Sequence, residues 1–295
     1  MSFVQDIQKE IDSTLEAVLQ EQVPQRRGPL DKFSKVLRYA LFPGGKRFRP
    51  ALTMAAAKAC DGNKGAAVSI GAAIELIHNY SLIHDDLPCM DDSCLRRGKQ
   101  ATHKEFDEGL ALLAGNALLT DAFVVLSELP KRHSISAEST IEIINIIASC
   151  AGSSGMVAGQ VLDLKSSPKI SFPELEFLAI HKTGKLIYAS VMAGALTGKP
   201  TQEERKALEK YGEAIGLVFQ IMDDLDDAKS SVEQRTPEPP RASFVQILGV
   251  EESKQRASEL IGESIKAIKI FGKRGAPLVE LVELLGSKLP LNIQG

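Results

Sequence analysis

The stretch GAAVSIGAAIELIHNYSLIHDDLPCMDDSCLRRG, residues 65–98, decides how the chain is read. Its first two-thirds is apolar at helical spacing, with Ile70, Ala73, Ile74 and Ile77 recurring every three or four residues. The last third then places Asp85, Asp86, Asp91 and Asp92 within eight residues, followed at once by Arg96 and Arg97. Pro88 pushes its predecessor out of the α region, so the helix is expected to end near Leu87, with Asp91 curling back from the following turn. Carboxylates suit a helix C-terminus badly, because the macrodipole is already negative there. A cation is needed to offset that cost.

The same periodicity runs through residues 3–21, 30–41, 47–60, 109–129, 136–165, 173–197, 202–228, 251–271 and 277–286. Gly, Pro and Ser clusters at 43–45, 61–63, 129–131, 197–200 and 236–240 separate them, and no alternating β-strand stands out. No composition shift marks a boundary, and only about 55 residues follow TPEPPRAS, too few for a separate core of usual size. We expect an all-α chain, one domain over 1–295, with roughly ten helices around a central cavity.

Of the 295 residues, 44% are apolar and 25% charged, with a net charge of −3. That balance argues against a nucleic-acid surface. Cys60, Cys89, Cys94 and Cys150 form no CxxC pair and suit neither a zinc site nor a disulfide framework, so reduced thiols in a cytoplasmic protein are expected. The N-terminus has acids early and no apolar h-region, and no stretch of 18 apolar residues free of charge stands out. We expect neither a signal peptide nor a transmembrane segment.

A second acidic cluster closes GLVFQIMDDLDDAKS. Asp223 and Asp227 lie four residues apart, about 40° around a helix, and Asp224 flanks them. Both clusters abut apolar helical runs, so their carboxylates should begin at the wall of a core. No D-x-D-x-D-G calcium loop occurs. Hard oxygen clusters suit Mg²⁺, which takes one or two carboxylates together with substrate phosphate. The basic residues fit that ligand: PGGKRFRP offers Lys46, Arg47 and Arg49 beside two glycines that let backbone approach an anion, and Arg96 and Arg97 follow the first cluster. Acids for metal and bases for phosphate point to diphosphate chemistry.

With GGKRFRP, IELIHNYSLIHDDLPCMDD…LRRG, GMVAGQVLDL, HKTGKLI and GLVFQIMDDLDD in order, the sequence resembles the trans-type isoprenyl diphosphate synthases over nearly its whole length. The resemblance implies condensation of isopentenyl diphosphate with an allylic diphosphate, usually in a homodimer. It implies that Asp85, Asp86, Asp91, Asp223, Asp224 and Asp227 bind up to three Mg²⁺. It assigns Lys46, Arg49, His78 and Arg97 to isopentenyl diphosphate. Arg96, Lys182, Thr183 and Gln220 go to the allylic diphosphate or its developing cation, and Gln160 and Asp163 to a supporting role. Cys89 and Cys94 read as spacers.

By the same resemblance, Tyr80 and Ser81 set product length. A bulky Tyr80 with a DDxxxxD motif is the bacterial farnesyl-type pattern; geranylgeranyl or geranyl diphosphate are the alternatives, as is a non-catalytic synthase-like subunit. The chain departs from the family at Asp226, usually apolar, and in the short proline-rich loop after the second motif, where Arg241 stands for an expected lysine. A class I terpene cyclase would need an N/D-D-x-x-S/T-x-x-x-E motif, and only Asp227 and Ser231 stand at its last two key positions.

Overall fold

The computed structural model describes residues 3–23, 30–165, 170–234, 242–287 and 289. The chain divides into two compact units: residues Met1–Met54 with Asn63–Ile144, and residues Ala55–Gly62 with Asn145–Gly295. In chain order the helices are α1 (Phe3–Gln22), α2 (Asp31–Leu41), α3 (Phe48–Ala59), α4 (Lys64–Asp85), α5 (Thr102–Glu105), α6 (Glu108–Ser127), α7 (Leu129–His133) and α8 (Ala137–Ala151). They continue as α9 (Met156–Lys165), α10 (Phe172–Ala179), α11 (Lys185–Ala195), α12 (Gln202–Gln234), α13 (Phe244–Leu248), α14 (Val250–Ile268) and α15 (Ala276–Gly286). A π-turn, Ile180–Gly184, joins α10 to α11, and a 3₁₀ segment, Lys269–Gly275, joins α14 to α15. The protein is all-α: among the described residues, twelve of these helices have eight residues or more, close to the expected ten.

In the first unit α4 is the spine. Asn63 caps it by accepting from the Ala66 amide at 2.9 Å. Most of its length is buried, which explains why it is apolar all round. On α1 the stripe Ile7, Ile11, Leu15 and Val18 is buried at steps of three and four. Each such side chain stabilises the fold by about 1.5–3 kcal/mol through lost water contact. Gly71 of α4 receives Ile11 and Pro50, and a Cβ there would sit 3.2 Å from both. Asp107 caps α6, accepting from Leu110 N at 2.7 Å. Ala111, Ala114, Gly115, Leu118, Ala122 and Leu126 are the buried residues of α6, and α6 packs on α4.

In the second unit α12 is the counterpart, packed on α11 and α14. The buried Tyr211 hydroxyl donates to Leu278 O at 2.9 Å and ties α12 to α15.

Two sequence expectations are corrected here, and one minimal element is added. Residues 136–165 do not form one helix: α8 stops at Ala151, and Gly155 lies so close to the Cys150 carbonyl that a Cβ would stand 2.0 Å from it. The helix expected over 173–197 carries the π-turn. Strand structure, unexpected from the sequence, exists as a minimal hairpin, Leu95–Arg96 against Lys99–Gln100. Its two central residues, Arg97 and Gly98, both have positive φ (53° and 77°), the mark of a type I′ turn.

Three helical stretches, 64–85, 108–127 and 137–165, the last interrupted between α8 and α9, are long and apolar enough to cross a membrane by length and composition alone. For the first, core burial explains the apolarity: 78% of its most apolar window is buried.

Candidate active site

The helix α4 ends at Asp85, and Asp86 caps it. The chain then turns back, with Asp91 N donating to Asp85 O at 2.9 Å and Asp92 N to Leu87 O at 3.1 Å. The expected turn is thus in place and keeps Asp85, Asp86 and Asp91 together. Asp86 is buried, and its charge is balanced by Arg96, whose Nε donates at 3.1 Å to Oδ1 and 3.2 Å to Oδ2 while Nη2 also reaches Oδ1. Arg96 sits on the first strand of the hairpin and Arg97 in its turn.

The hairpin is fastened from the other side. Lys99 Nζ donates to the carbonyls of Tyr39 and Phe42 at the end of α2 and lies 3.8 Å from the Tyr39 ring centroid. Tyr39 returns a bond from its hydroxyl to Gln100 O at 2.8 Å. Lysine suits this position because it satisfies carbonyls left open at a helix C-terminus.

The PGGKRFRP segment reads differently in three dimensions. Arg47 is buried and unavailable to phosphate: its guanidinium donates to Asp12 (2.9 Å), Glu75 (2.6 Å) and Leu41 O (2.9 Å). Gly44 gives that guanidinium room, since a Cβ there would sit 2.0 Å from it. A Cβ on Gly45 would meet the Arg97 guanidinium at 3.1 Å. The glycines therefore make space for arginines rather than for an anion. Lys46 is exposed, and Arg49 is half-buried in the first turn of α3.

A buried relay holds Arg97. Glu75 of α4, paired with Arg47, accepts from Asn79 Nδ2 at 3.1 Å, and Asn79 Oδ1 accepts from Arg97 Nη1 at 3.4 Å. His78 lies on the same helix. Burial, then the guanidiniums of Arg49, Arg97, Arg47 and Arg96, hold its pKa well below the usual value. The imidazole is neutral in a strongly cationic setting, which is the setting an anionic ligand completes. Tyr80 is buried and meets the His84 ring edge-on at 5.7 Å, and Ser81 Oγ donates to His78 O at 2.9 Å. A small pocket touches Asn79, Asp86, Arg96, Arg97 and Lys99.

In the second unit, Lys182 and Thr183 stand on the π-turn, where Lys185 N bonds back to Ile180 O. Such turns often occur at functional sites. Two glycines grip it: a Cβ on Gly159 of α9 would stand 2.1 Å from Lys182 N, and one on Gly216 of α12 would stand 2.7 Å from Gly184 Cα. Lys182 Nζ pairs with Asp163 of α9. Thr183 Oγ1 donates to Gln220 Oε1 at 2.8 Å, and Gln220 Nε2 donates to Asp224 Oδ1 at 2.8 Å. Asp224 Oδ2 accepts from Phe244 N at 2.7 Å, at the start of α13.

Desolvation lifts the Asp224 pKa to about 6 against these two hydrogen bonds, with Asp223 and Asp227 adding repulsion. Asp223 and Asp227 are exposed on α12. Both oxygens of Asp224 are thus engaged by protein. Arg241 lies outside the described residues.

The donor set fits Mg²⁺ by chemistry: every assigned ligand is a carboxylate, with no sulfur or nitrogen among them. Among the described residues, no three His, Cys, Asp or Glu side chains converge as a preformed metal centre. Glu75, Asn79, Lys99 and His84 do not stand out in the sequence alone; only the helical phase of Glu75 and Asn79 relative to Asp86 could have pointed to them.

An all-helical fold with aspartates ending one long helix, a guanidinium cluster beside them and a second acidic helix defines the isoprenoid-synthase class. A family model described as polyprenyl synthetase matches residues 31–263. A farnesyl diphosphate synthase of Micrococcus luteus is 38% identical over 245 residues, covering 81% of this chain and 83% of its own. A chloroplastic geranylgeranyl pyrophosphate synthase of Catharanthus roseus is 39% identical over 268 residues, 88% of this chain and 74% of its own. Among solved structures, an FPP/GFPP synthase from Zymomonas mobilis is similar at a TM-score of 0.85 and 36% identity, covering 95% of this chain and 98% of its own. The chain belongs to the polyprenyl synthetase family and is a trans-prenyltransferase.

Proposed function

We propose that this enzyme condenses isopentenyl diphosphate with dimethylallyl and then geranyl diphosphate, releasing (2E,6E)-farnesyl diphosphate. The observation that carries the product length is Tyr80, a buried aromatic five residues before Asp85 on α4. The farnesyl diphosphate synthase name of one relative supports it. Geranylgeranyl diphosphate is the second reading, favoured by the names of plant relatives such as the Catharanthus enzyme.

In this reading Asp85, Asp86, Asp91, Asp223, Asp224 and Asp227 hold up to three Mg²⁺, which when bound supply Lewis-acid stabilisation of the leaving diphosphate. Lys46, Arg49, His78 and Arg97 bind isopentenyl diphosphate. Arg96 and Lys182 take the allylic diphosphate, and Arg241 is assigned to substrate as well. Thr183 and Gln220 aim fixed oxygen dipoles at positive charge growing on the allylic carbon. The double bond of isopentenyl diphosphate attacks that carbon. A proton then leaves to the released diphosphate, and apolar walls keep water from the cation.

Residues 1–295 would act as one synthase domain, as a homodimer in the cytoplasm. Exposed Leu112, Leu113 and Val124 on α6 support the dimer, and the cysteine spacing supports a reducing compartment.

The test of the metal assignment is Asp85→Ala at saturating Mg²⁺ with both C5 diphosphates. Turnover falls by at least about 10³-fold if charge stabilisation at the leaving group is lost. Activity within a few-fold of the parent would sink the assignment.

A further inference from the structure

We infer that His84 and Gly115 are positioning residues for product length, acting through the ring of Tyr80; this rests on the reading of Tyr80 as the group that limits chain growth. The observation is a sequence of contacts between α4 and α6. His84 follows Tyr80 by one helical turn and directly precedes Asp85. Its ring lies where a side chain at Gly115 would be: a Cβ there would stand 2.1 Å from Nε2 and 2.4 Å from Cδ2, far inside any real contact. The imidazole also donates from Nε2 to Leu112 O at 3.1 Å, so the Nε2 edge of the ring is held against the backbone of α6. The same imidazole meets Tyr80 edge-on, with centroids 5.7 Å apart and ring planes at 77°. Tyr80 is 8% exposed, and its ring is braced by an imidazole whose own position is fixed by the absence of a side chain on α6.

Geometry gives the consequence. Five residues of α-helix rise about 7.5 Å, so Tyr80 stands that far along α4 from Asp85. A helical tyrosine has two accessible χ1 wells, and an edge-on ring contact favours one packing over the other. Adding a methyl at residue 115 forces the imidazole off α6 and towards Tyr80. Removing the imidazole leaves the Tyr80 ring unbraced. Either change lets the phenol leave its place, and a growing chain passes where it was blocked.

The experiment compares Tyr80→Ala, His84→Ala, Gly115→Ala and the doubles with Tyr80→Ala, each incubated with dimethylallyl and isopentenyl diphosphates under one condition. The products are measured by mass spectrometry. His84→Ala only removes atoms and creates no clash, so it carries the test if Gly115→Ala does not fold. Expected is a rise of about tenfold in the ratio of longer product to farnesyl diphosphate for His84→Ala and Gly115→Ala, the size of a modest shift in packing free energy. In the Tyr80→Ala background neither should change the ratio by more than about twofold, because the group they act through is gone. That non-additivity is what a merely structural role would not produce. Longer product from Tyr80→Ala with parental product from His84→Ala and Gly115→Ala overturns the proposal, as does full additivity. Parental product from Tyr80→Ala overturns the product-length reading itself, and the proposal with it.

Discussion

Arg96, on a two-residue strand, grips the buried Asp86 at the C-terminus of α4 through Nε (3.1 and 3.2 Å) and Nη2. A carboxylate that opposes the helix dipole is therefore balanced within the protein before any ligand arrives. Arg96→Met leaves Asp86 charged, buried and without that partner. The loss is about 2 kcal/mol, below the 3–5 of a fully enclosed pair because Arg96 is partly open to water. Urea unfolding of R96M, D86N and the double variant measures it. The double variant should lose less than the sum of the singles, by about 1 kcal/mol.

His78 is kept neutral by burial and by four guanidiniums. Its folded pKa lies below the unfolded value near 6.5. Between the two, the unfolded chain binds the extra proton, so stability rises with pH and falls on acidification below 6.5. His78→Gln, neutral at every pH, flattens that part of the stability profile. Because the imidazole acts uncharged, the variant keeps the KM for isopentenyl diphosphate within about threefold at pH 7–8, since a neutral donor replaces a neutral donor. A chemical-denaturation series from pH 5 to 8 with matched kinetics checks both halves.

Lys99 never meets substrate in the proposed mechanism, yet it anchors the hairpin carrying both arginines. Lys99→Met keeps the alkyl stem and loses the carbonyl contacts. KM for the diphosphates should rise about tenfold, corresponding to 1.4 kcal/mol, with kcat nearly unchanged and Lys99→Arg giving partial recovery. Steady-state kinetics on both substrates decides it.

At Gly159 the missing Cβ lets α9 touch the backbone of the π-turn at Lys182. Gly159→Ala displaces Lys182 and Thr183, and kcat should fall on the order of 10²-fold, the usual cost of a 1 Å misplacement at a reacting centre. At Gly262 of α14 a Cβ would find open space, with nothing within 4 Å. There Gly→Ala should leave kcat alone and raise stability by about 0.5–1 kcal/mol through helix propensity. Single-turnover rates and thermal melts of the pair check the contrast.

Much of this is legible in the chain. The end of α4 follows from Pro88, the return of Asp91 from the turn after it, and the shared face of Asp223 and Asp227 from helical spacing. What stays hidden depends on partners distant in sequence. The role of Gly44 exists only because Arg47 reaches Asp12 and Glu75, 35 and 28 residues away. The hairpin strands are too short for alternation to show, and one extra residue in a turn leaves the π-turn almost invisible to a 3.6-residue pattern. His84 and Gly115 look like ordinary helix residues until α4 and α6 are packed together.

The most direct measurement is the product of the unaltered enzyme given dimethylallyl and isopentenyl diphosphates, with Mg²⁺ and with Mg²⁺ chelated, read by mass spectrometry. Farnesyl diphosphate is expected as the main product with Mg²⁺, and no product without it. Geranylgeranyl diphosphate as the main product would contradict the reading of Tyr80, and undiminished turnover under chelation would contradict the assignment of the aspartates.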